Sequence, residues 1–411
     1  MSDVSTATAK ATSEVAESSA KKKADKKTAT AIVGAAFLMA TSAIGPGFLT
    51  QTAIFTEKLG PSFGAIILMS IILDIIAQAN VWRVIAISGR RAQDIANMVL
   101  PGLGIVLTTL IVFGGTVFNI GNVAGAGLGM NGFLKVSIVE GAIDSAIIAI
   151  CIFLIKEAGQ AMDRFTQWLG LLMIGLTLYV AFQSSPPLFL AAQKTFLPDK
   201  LDFAALVTIV GGTVGGYITF SGGHRLLDAG ISGIHNLDKV TRSATMGIIV
   251  ASSMRILLFV GALGVVATGV KLHEGNPPSS VFYNAAGAIG VQMFGVVMWA
   301  AAITSIVGSA YTSVTFLRTV VPWVNKRRRL TIVLFISFST LIFATIGRPV
   351  IILLWAGRIN GFILPLALGV MLLAAHRPDI IGSYKQPWWL TALGLVVVMI
   401  MIGASITSFS K

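Results

Sequence analysis

Long apolar segments follow one another almost without pause from residue 31 to the end of the chain, and this pattern constrains the fold more than any single motif. Segments of about 17–25 apolar residues match the hydrocarbon thickness of a bilayer. They occur near 31–57, 62–88, 103–130, 138–155, 165–184, 203–230, 243–268, 288–317, 330–346, 349–375 and 388–408. Backbone amides and carbonyls find no water in hydrocarbon, so each segment must satisfy them internally as a helix. The sequence therefore predicts an all-α polytopic membrane protein with eleven transmembrane helices. Only 11% of residues are charged, less than half the share of about 25% in a soluble domain.

Residues 1–30 are of different composition: Ser, Thr, Ala and Lys without apolar periodicity, predicting a disordered cytoplasmic tail. Lys and Arg concentrate on the tail's side of the predicted membrane, at Lys21–Lys23, Arg90, Arg91, Lys239 and Lys326–Arg329, whereas the opposite loops carry few, such as Lys58, Lys135 and Lys271. This asymmetry predicts a multi-pass cell-membrane protein with a cytoplasmic N-terminus and, after eleven crossings, an extracytoplasmic C-terminus. The pI of about 10.0 arises the same way. Its basic residues flank helices rather than forming one surface, so no nucleic-acid partner is expected.

Two apolar segments contain sequence that an uninterrupted helix avoids. The first holds Gly45-Pro46-Gly47 at its middle, in TSAIGPGFLTQ. Proline removes a donor and collides with the preceding turn, and glycine loosens the chain further. The sixth holds Gly211, Gly212, Gly215 and Gly216 in TIVGGTVGGYITFSGGHR. Glycines there could serve close helix packing alone, but each interrupted segment begins a set of five. Transporters built from two inverted five-helix repeats break helices at corresponding positions, and the unwound segments frame the substrate site. The expected division is a first repeat over 31–185 (helices 1–5), a second over 186–375 (helices 6–10), and a loop with helix 11 over 376–411. Thr50, Gln51, Thr213 and Tyr217 are the polar side chains nearest the breaks.

An enzyme is not expected. The four histidines lack metal-ligand spacing, no nucleophile–base pair is apparent, and no phosphate-binding loop is present. No cofactor is implied. The single cysteine, Cys151, excludes an internal disulfide and is expected on a packed helix face.

Several segments resemble the Nramp family of divalent metal transporters, whose LeuT-type fold has helices 1 and 6 broken. VGAAFLMATSAIGPGFLTQTA is similar to the family's first helix, and SIILDIIAQANVWRVIAISGRRAQDIA to its second, with Gln78 and Arg83 in register. FNIGNVAGAGLGMN resembles the third helix, SIVGSAYTSVTFL the eighth and WAGRINGFILPLALGVML the tenth. The resemblance implies a divalent metal ion as substrate and a lipid bilayer as surroundings.

The family's ligands mostly do not carry over. Its Asp-Pro-Gly-Asn falls on Gly45-Pro46-Gly47-Phe48, so the metal-binding aspartate is Gly45. The alanine and methionine of its sixth helix fall on Gly212 and Gly215, the following proline and histidine on Gly216 and Tyr217, and the tenth-helix glutamine on Gly357. Losing the thioether removes the preference for transition metals. A wider site of carbonyls, amides and hydroxyls suits Mg²⁺, which keeps several waters. The family's acidic pair on helix three appears as Asn119 and Asn122, and amides do not release protons at physiological pH. Transport without a coupled proton follows.

Other charges admit several roles. Asp74 is either a counter-charge for the ion or a structural partner of Arg83, Arg255 or Arg358. Glu140 and Asp144 share a helix face and are expected to pair in the interior, and Arg225 and Asp228 to pair within one helix. Arg358, in a half-broken AGRING, would repel Mg²⁺ and attract a carboxylate. Three readings stand: a Mg²⁺-favouring cation transporter, a same-fold carrier of a small organic solute such as an amino acid or amine, and a non-transporting receptor or scaffold.

Overall fold

The computed structural model describes residues 29–30, 32–36, 39–155 and 158–409. Of the tail expected over 1–30, residues 1–28 lie outside them, and 29–30 are helical rather than disordered. The chain is helical at 32–36 and 39–43 (α1), then forms α2 (Pro46–Leu59), α3 (Phe63–Ser88), α4 (Ala92–Val99), α5 (Leu103–Leu134), α6 (Ile138–Leu154), α7 (Ala158–Gln183), α8 (Leu188–Phe196), α9 (Phe203–Val214) and α10 (Ile218–Asp228). It continues as α11 (Leu237–Ala267), α12 (Pro277–Val320), α13 (Pro322–Lys326), α14 (Arg328–Ile346), α15 (Pro349–Ala374), α16 (Pro378–Ile381) and α17 (Trp388–Phe409).

Among the described residues, eight helical stretches are long and apolar enough to cross a membrane, or nine if the pair 171–183 and 188–196, bent by 105°, counts as one. Eleven are not reached for identifiable reasons. The break divides the first segment, and its second half runs on into α3 as one stretch, Pro46–Ser88. The fourth, α6, is only 17 residues long. The eighth starts where expected: α12 carries left-handed Gly287 (φ 60°), which separates its first ten residues from the part after 288.

Glycine sets how closely the helices approach. On α5, a side chain at Gly125 would overlap the Pro46 ring of α2, and one at Gly129 would meet the Trp299 backbone of α12 at 2.6 Å. Close backbone approach of this kind substitutes for the hydrophobic force that lipid cannot supply. In consequence α5 lies along α12 and also touches α2 and α15, while α11 packs on α3.

Polar contacts fix the ends. Ser137 and Glu140 form a capping box at the start of α6. Glu140 is exposed there and Asp144 is exposed too, so the expected interior pairing of these acids does not occur. The capping requirement of α6 takes Glu140 instead. Cys151 is also exposed on α6 rather than packed. At the start of α9, Asp202 accepts a hydrogen bond from the Ala205 amide (3.0 Å) and from Lys58 Nζ at the end of α2 (2.7 Å). Partial burial pushes the Asp202 pKa up, but the Lys58 ammonium and the α9 amides outweigh it and hold the value below the ordinary 3.8. A depressed carboxylate stabilises the fold above its unfolded pKa, and that contribution is lost as pH falls through the folded value. Asp202→Asn should therefore lower the thermal unfolding midpoint at pH 7, by a free energy within about 1 kcal/mol. The difference from wild type should vanish in an acid series taken below the folded pKa.

Candidate functional site

Both expected breaks are present. α1 ends at Ala43, and the Gly45 amide turns back to the Ala43 carbonyl (2.9 Å). Gly45 is extended (φ −109°, ψ −175°) and Pro46 is the first residue of α2, where its missing N–H leaves no bond unmade. α9 ends at Val214, Gly215 is extended, and Gly216 is left-handed (φ 53°) before α10 restarts. The break is thus Gly215–Gly216. Gly211 and Gly212 lie in regular helix, where a side chain on Gly211 would overlap the Gly357 carbonyl and the Gly361 backbone of α15. For Gly211, close packing explains the residue.

One side chain faces both breaks. Asn122 of α5 places Oδ1 3.4 Å from where a Gly45 side chain would begin, and Ser305 Oγ of α12 lies 3.2 Å from the same point. The buried Tyr217 hydroxyl lies beside the Asn122 and Ser309 side chains and completes no hydrogen bond among the described residues. Asn119, one turn from Asn122, accepts from Ser309 Oγ (2.8 Å) and donates to Ser339 Oγ (3.1 Å). The side chains gathered between the breaks are therefore amides and hydroxyls. Among the described residues no three His, Cys, Asp or Glu side chains come together. Ser305, Ser309 and Ser313, all buried, were not singled out from sequence, yet their four-residue spacing marks one face of α12.

Gln51 fills the adjoining gap between α9 and α15. Its Nε2 donates to the Leu353 carbonyl (3.0 Å), while Oε1 is buried without a partner among the described residues. A side chain at Gly212 would begin 2.6 Å from Oε1, and one at Gly357 would overlap Nε2. The amide of Gln51 thus occupies space beside both positions on which the resemblance places family ligands. Gly47 looks onto the same glutamine, whose Nε2 is 3.5 Å from its side-chain position. Thr50 is buried with its hydroxyl unpartnered among the described residues, and Thr213 bonds its own helix at the Ile209 carbonyl (2.8 Å). Asn360 of α15 was missed. It donates to the Gly114 and Ala356 carbonyls (3.0 and 2.8 Å), and its Oδ1 sits where a Gly216 side chain would go.

The remaining candidates separate. Asp74 (1% exposed) faces Arg255 (2% exposed), not Arg83 or Arg358. With Phe48, Ser70 and Thr213 they line a crevice beside α2. Arg255 stacks on the Phe48 ring, 4.1 Å from its centroid, and Nη1 donates to the Ile209 carbonyl (3.3 Å). Gln78 ties α3 to the Ala244 carbonyl of α11 (3.0 Å). Arg358 does not face the breaks: α15 is continuous through AGRING, and the guanidinium hydrogen-bonds Ser408 of α17 and lies by Trp355. Asp228 pairs with Arg91 (2.6 Å) instead of Arg225, and His224 Nε2 accepts from the Ala92 amide (3.1 Å). These two contacts strap α4 to the end of α10. An open cavity of about 550 Å³ lies at the opposite end by Lys135, Lys271 and His273 and is lined by no break residue.

Residues 36–411 match the family described as natural resistance-associated macrophage protein-like. The chain is 57% identical over 383 residues to the uncharacterized membrane protein YcsG of Bacillus subtilis strain 168, covering 93% of this chain and 95% of that one. It is 54% identical over 371 residues to an uncharacterized membrane protein of Haemophilus influenzae, covering 90% and 94%. Among solved structures, the manganese transporter of Eremococcus coleocola superposes with a TM-score of 0.71 at 15% identity, covering 93% of this chain and 86% of that one. MhsT in complex with L-phenylalanine superposes at 0.64 with 15% identity, covering 92% and 98%. The fold is of the LeuT type.

Proposed function

Since the chain belongs to the Nramp family, a family of membrane transporters and not of enzymes, we propose that it is a secondary transporter of divalent metal cations working by alternating access. Mg²⁺ is favoured over Mn²⁺ and Fe²⁺, and no proton is coupled. The observation that carries this reading is the neutral cluster of amide and hydroxyl side chains in which Asn122 faces both helix breaks. The proposed contacts are the backbone at Gly45, Pro46, Gly47, Gly212, Thr213 and Gly215 with the side chains of Thr50, Gln51 and Tyr217, supported by Asn119 and Asn122. Among the described residues the side chains proposed as contacts carry neither thioether nor thiolate, which favours hard oxygen-preferring ions. Helix dipoles ending at the breaks supply part of the counter-charge. An inward-negative potential contributes about 2.3 kcal/mol per charge per 100 mV, or about 4.6 kcal/mol for a doubly charged ion. That is sufficient to drive accumulation without a proton.

The test is uptake into proteoliposomes of the purified protein under an inward-negative potential, comparing Mg²⁺, Mn²⁺ and Ca²⁺ while interior pH is followed. Saturable Mg²⁺ entry above Mn²⁺ with no acidification is expected. Acidification in step with metal entry would remove the uncoupled mechanism, and absence of flux for all three ions would remove the cation.

A further inference from the structure

The crevice between Asp74 and Arg255 offers chemistry that the cation reading does not use. Two opposite charges, each almost wholly buried, face one another beside Phe48 of α2 and Thr213 of α9 without meeting in an ion pair. Asp74 Oδ1, Arg255 Nε and Arg255 Nη2 have no hydrogen-bond partner among the described residues. A purely structural buried pair recovers its desolvation only by closing into direct, hydrogen-bonded contact. Leaving donors and acceptors unmade in such a place is strongly unfavourable.

Ligand charge decides what could complete these valences. A metal ion would satisfy Asp74 and be repelled by Arg255. An inorganic anion would do the reverse. A molecule bearing both an ammonium and a carboxylate satisfies both and brings no net charge into the interior. Phe48, Ile71, Thr213 and Ala251 close in around the two charges, so only a small ligand is admitted. None of the space is as wide as a water, so entry requires the Phe48 ring to leave its stack on Arg255.

We propose that this crevice binds a small zwitterion, an α-amino acid of the size of glycine or alanine, with its carboxylate on Arg255 and its ammonium on Asp74. The site lies on the α3 and α11 side of α2, whereas the cluster at Asn122 lies on its α5 and α12 side. It touches both broken helices through Phe48 and Thr213. The proposal goes beyond the cation reading and stands or falls separately from it.

The full chain in nanodiscs tests it, by thermal unfolding and titration calorimetry with glycine, L-alanine, propionate and ethylamine. Glycine or L-alanine should raise the unfolding midpoint and bind about ten-fold or more tightly than either half-molecule, as expected when a buried hydrogen-bonding group is left unpaired. Arg255→Lys, which keeps the charge but loses the guanidinium fork, should weaken glycine binding about ten-fold. Because the comparison among ligands uses wild-type protein, it holds even if the variant fails to fold. No response to either amino acid, or an equal response to propionate or ethylamine, overturns the proposal. Amino-acid binding without metal uptake would separate it from the cation reading.

Discussion

Gly216→Ala is expected to abolish uptake and to lower stability more than any other single methyl addition near the breaks. Gly216 is held at φ 53°, a conformation that costs an L-residue roughly 1–2 kcal/mol. Its new methyl would also coincide with Asn360 Oδ1, and overpacking of that kind costs about 1–3 kcal/mol. The two effects are separable. Asn360→Ala removes the overlap, at the cost of its bonds to the Gly114 and Ala356 carbonyls. The double variant Gly216→Ala with Asn360→Ala should therefore cost less than the sum of the single changes, by about 1–3 kcal/mol of coupling. Strict additivity in thermal unfolding would mean that Asn360 does not buttress the break.

The second large effect concerns the two glycines around Gln51. At Gly212, the three nearest atoms to an added methyl all belong to Gln51, the first at 2.6 Å. At Gly357 the methyl would meet Gln51 and also the Thr208 backbone carbonyl at 2.5 Å. Each Gly→Ala change should destabilise by about 1–3 kcal/mol, but only one can be rescued. Gln51→Ala should restore Gly212→Ala and leave Gly357→Ala impaired, because the α9 backbone cannot move aside. Equal rescue of both would show that α9 and α15 separate more easily than their packing implies. The same geometry explains why the family's glutamine on helix ten has no room here: even its first carbon would collide.

Sequence reading located the breaks because local chemistry makes them. Pro46 can only start a helix or kink one, and consecutive Gly215-Gly216 supplies the left-handed turn. What it misjudged depended on the far side of a helix or on another helix. Arg358 and Asn360 are two residues apart, which places them on nearly opposite faces of α15. One reaches out to Ser408 and the other in to the break, and composition alone does not say which. Asp228 was paired with its helical neighbour Arg225, whereas Arg91 takes it from a segment 137 residues earlier. Gly211 looked like part of the break, yet it is the contact of α9 with α15, visible only once both helices are placed. The serine spacing on α12 was a legible signal, overlooked because single hydroxyls in membrane helices so often bond their own backbone.

The buried charges on α3 and α11 also bear on how the chain enters the membrane. Asp74 is synthesised long before Arg255, so α3 must insert with its carboxylate uncompensated. At a helix centre that costs about 2.5–3.5 kcal/mol on the insertion scale, against about 0.3–0.6 kcal/mol gained per Leu, Ile, Phe or Val. Ser70, Asp74 and Gln78 put polar groups on one face of α3, and the Ile, Leu and Val that fill the rest of the helix make up the deficit. Its high hydrophobicity is thus a requirement of biogenesis. Thinning it with polar residues on the lipid-facing side, far from any ligand, should leave the helix stranded at the translocon before its arginine exists.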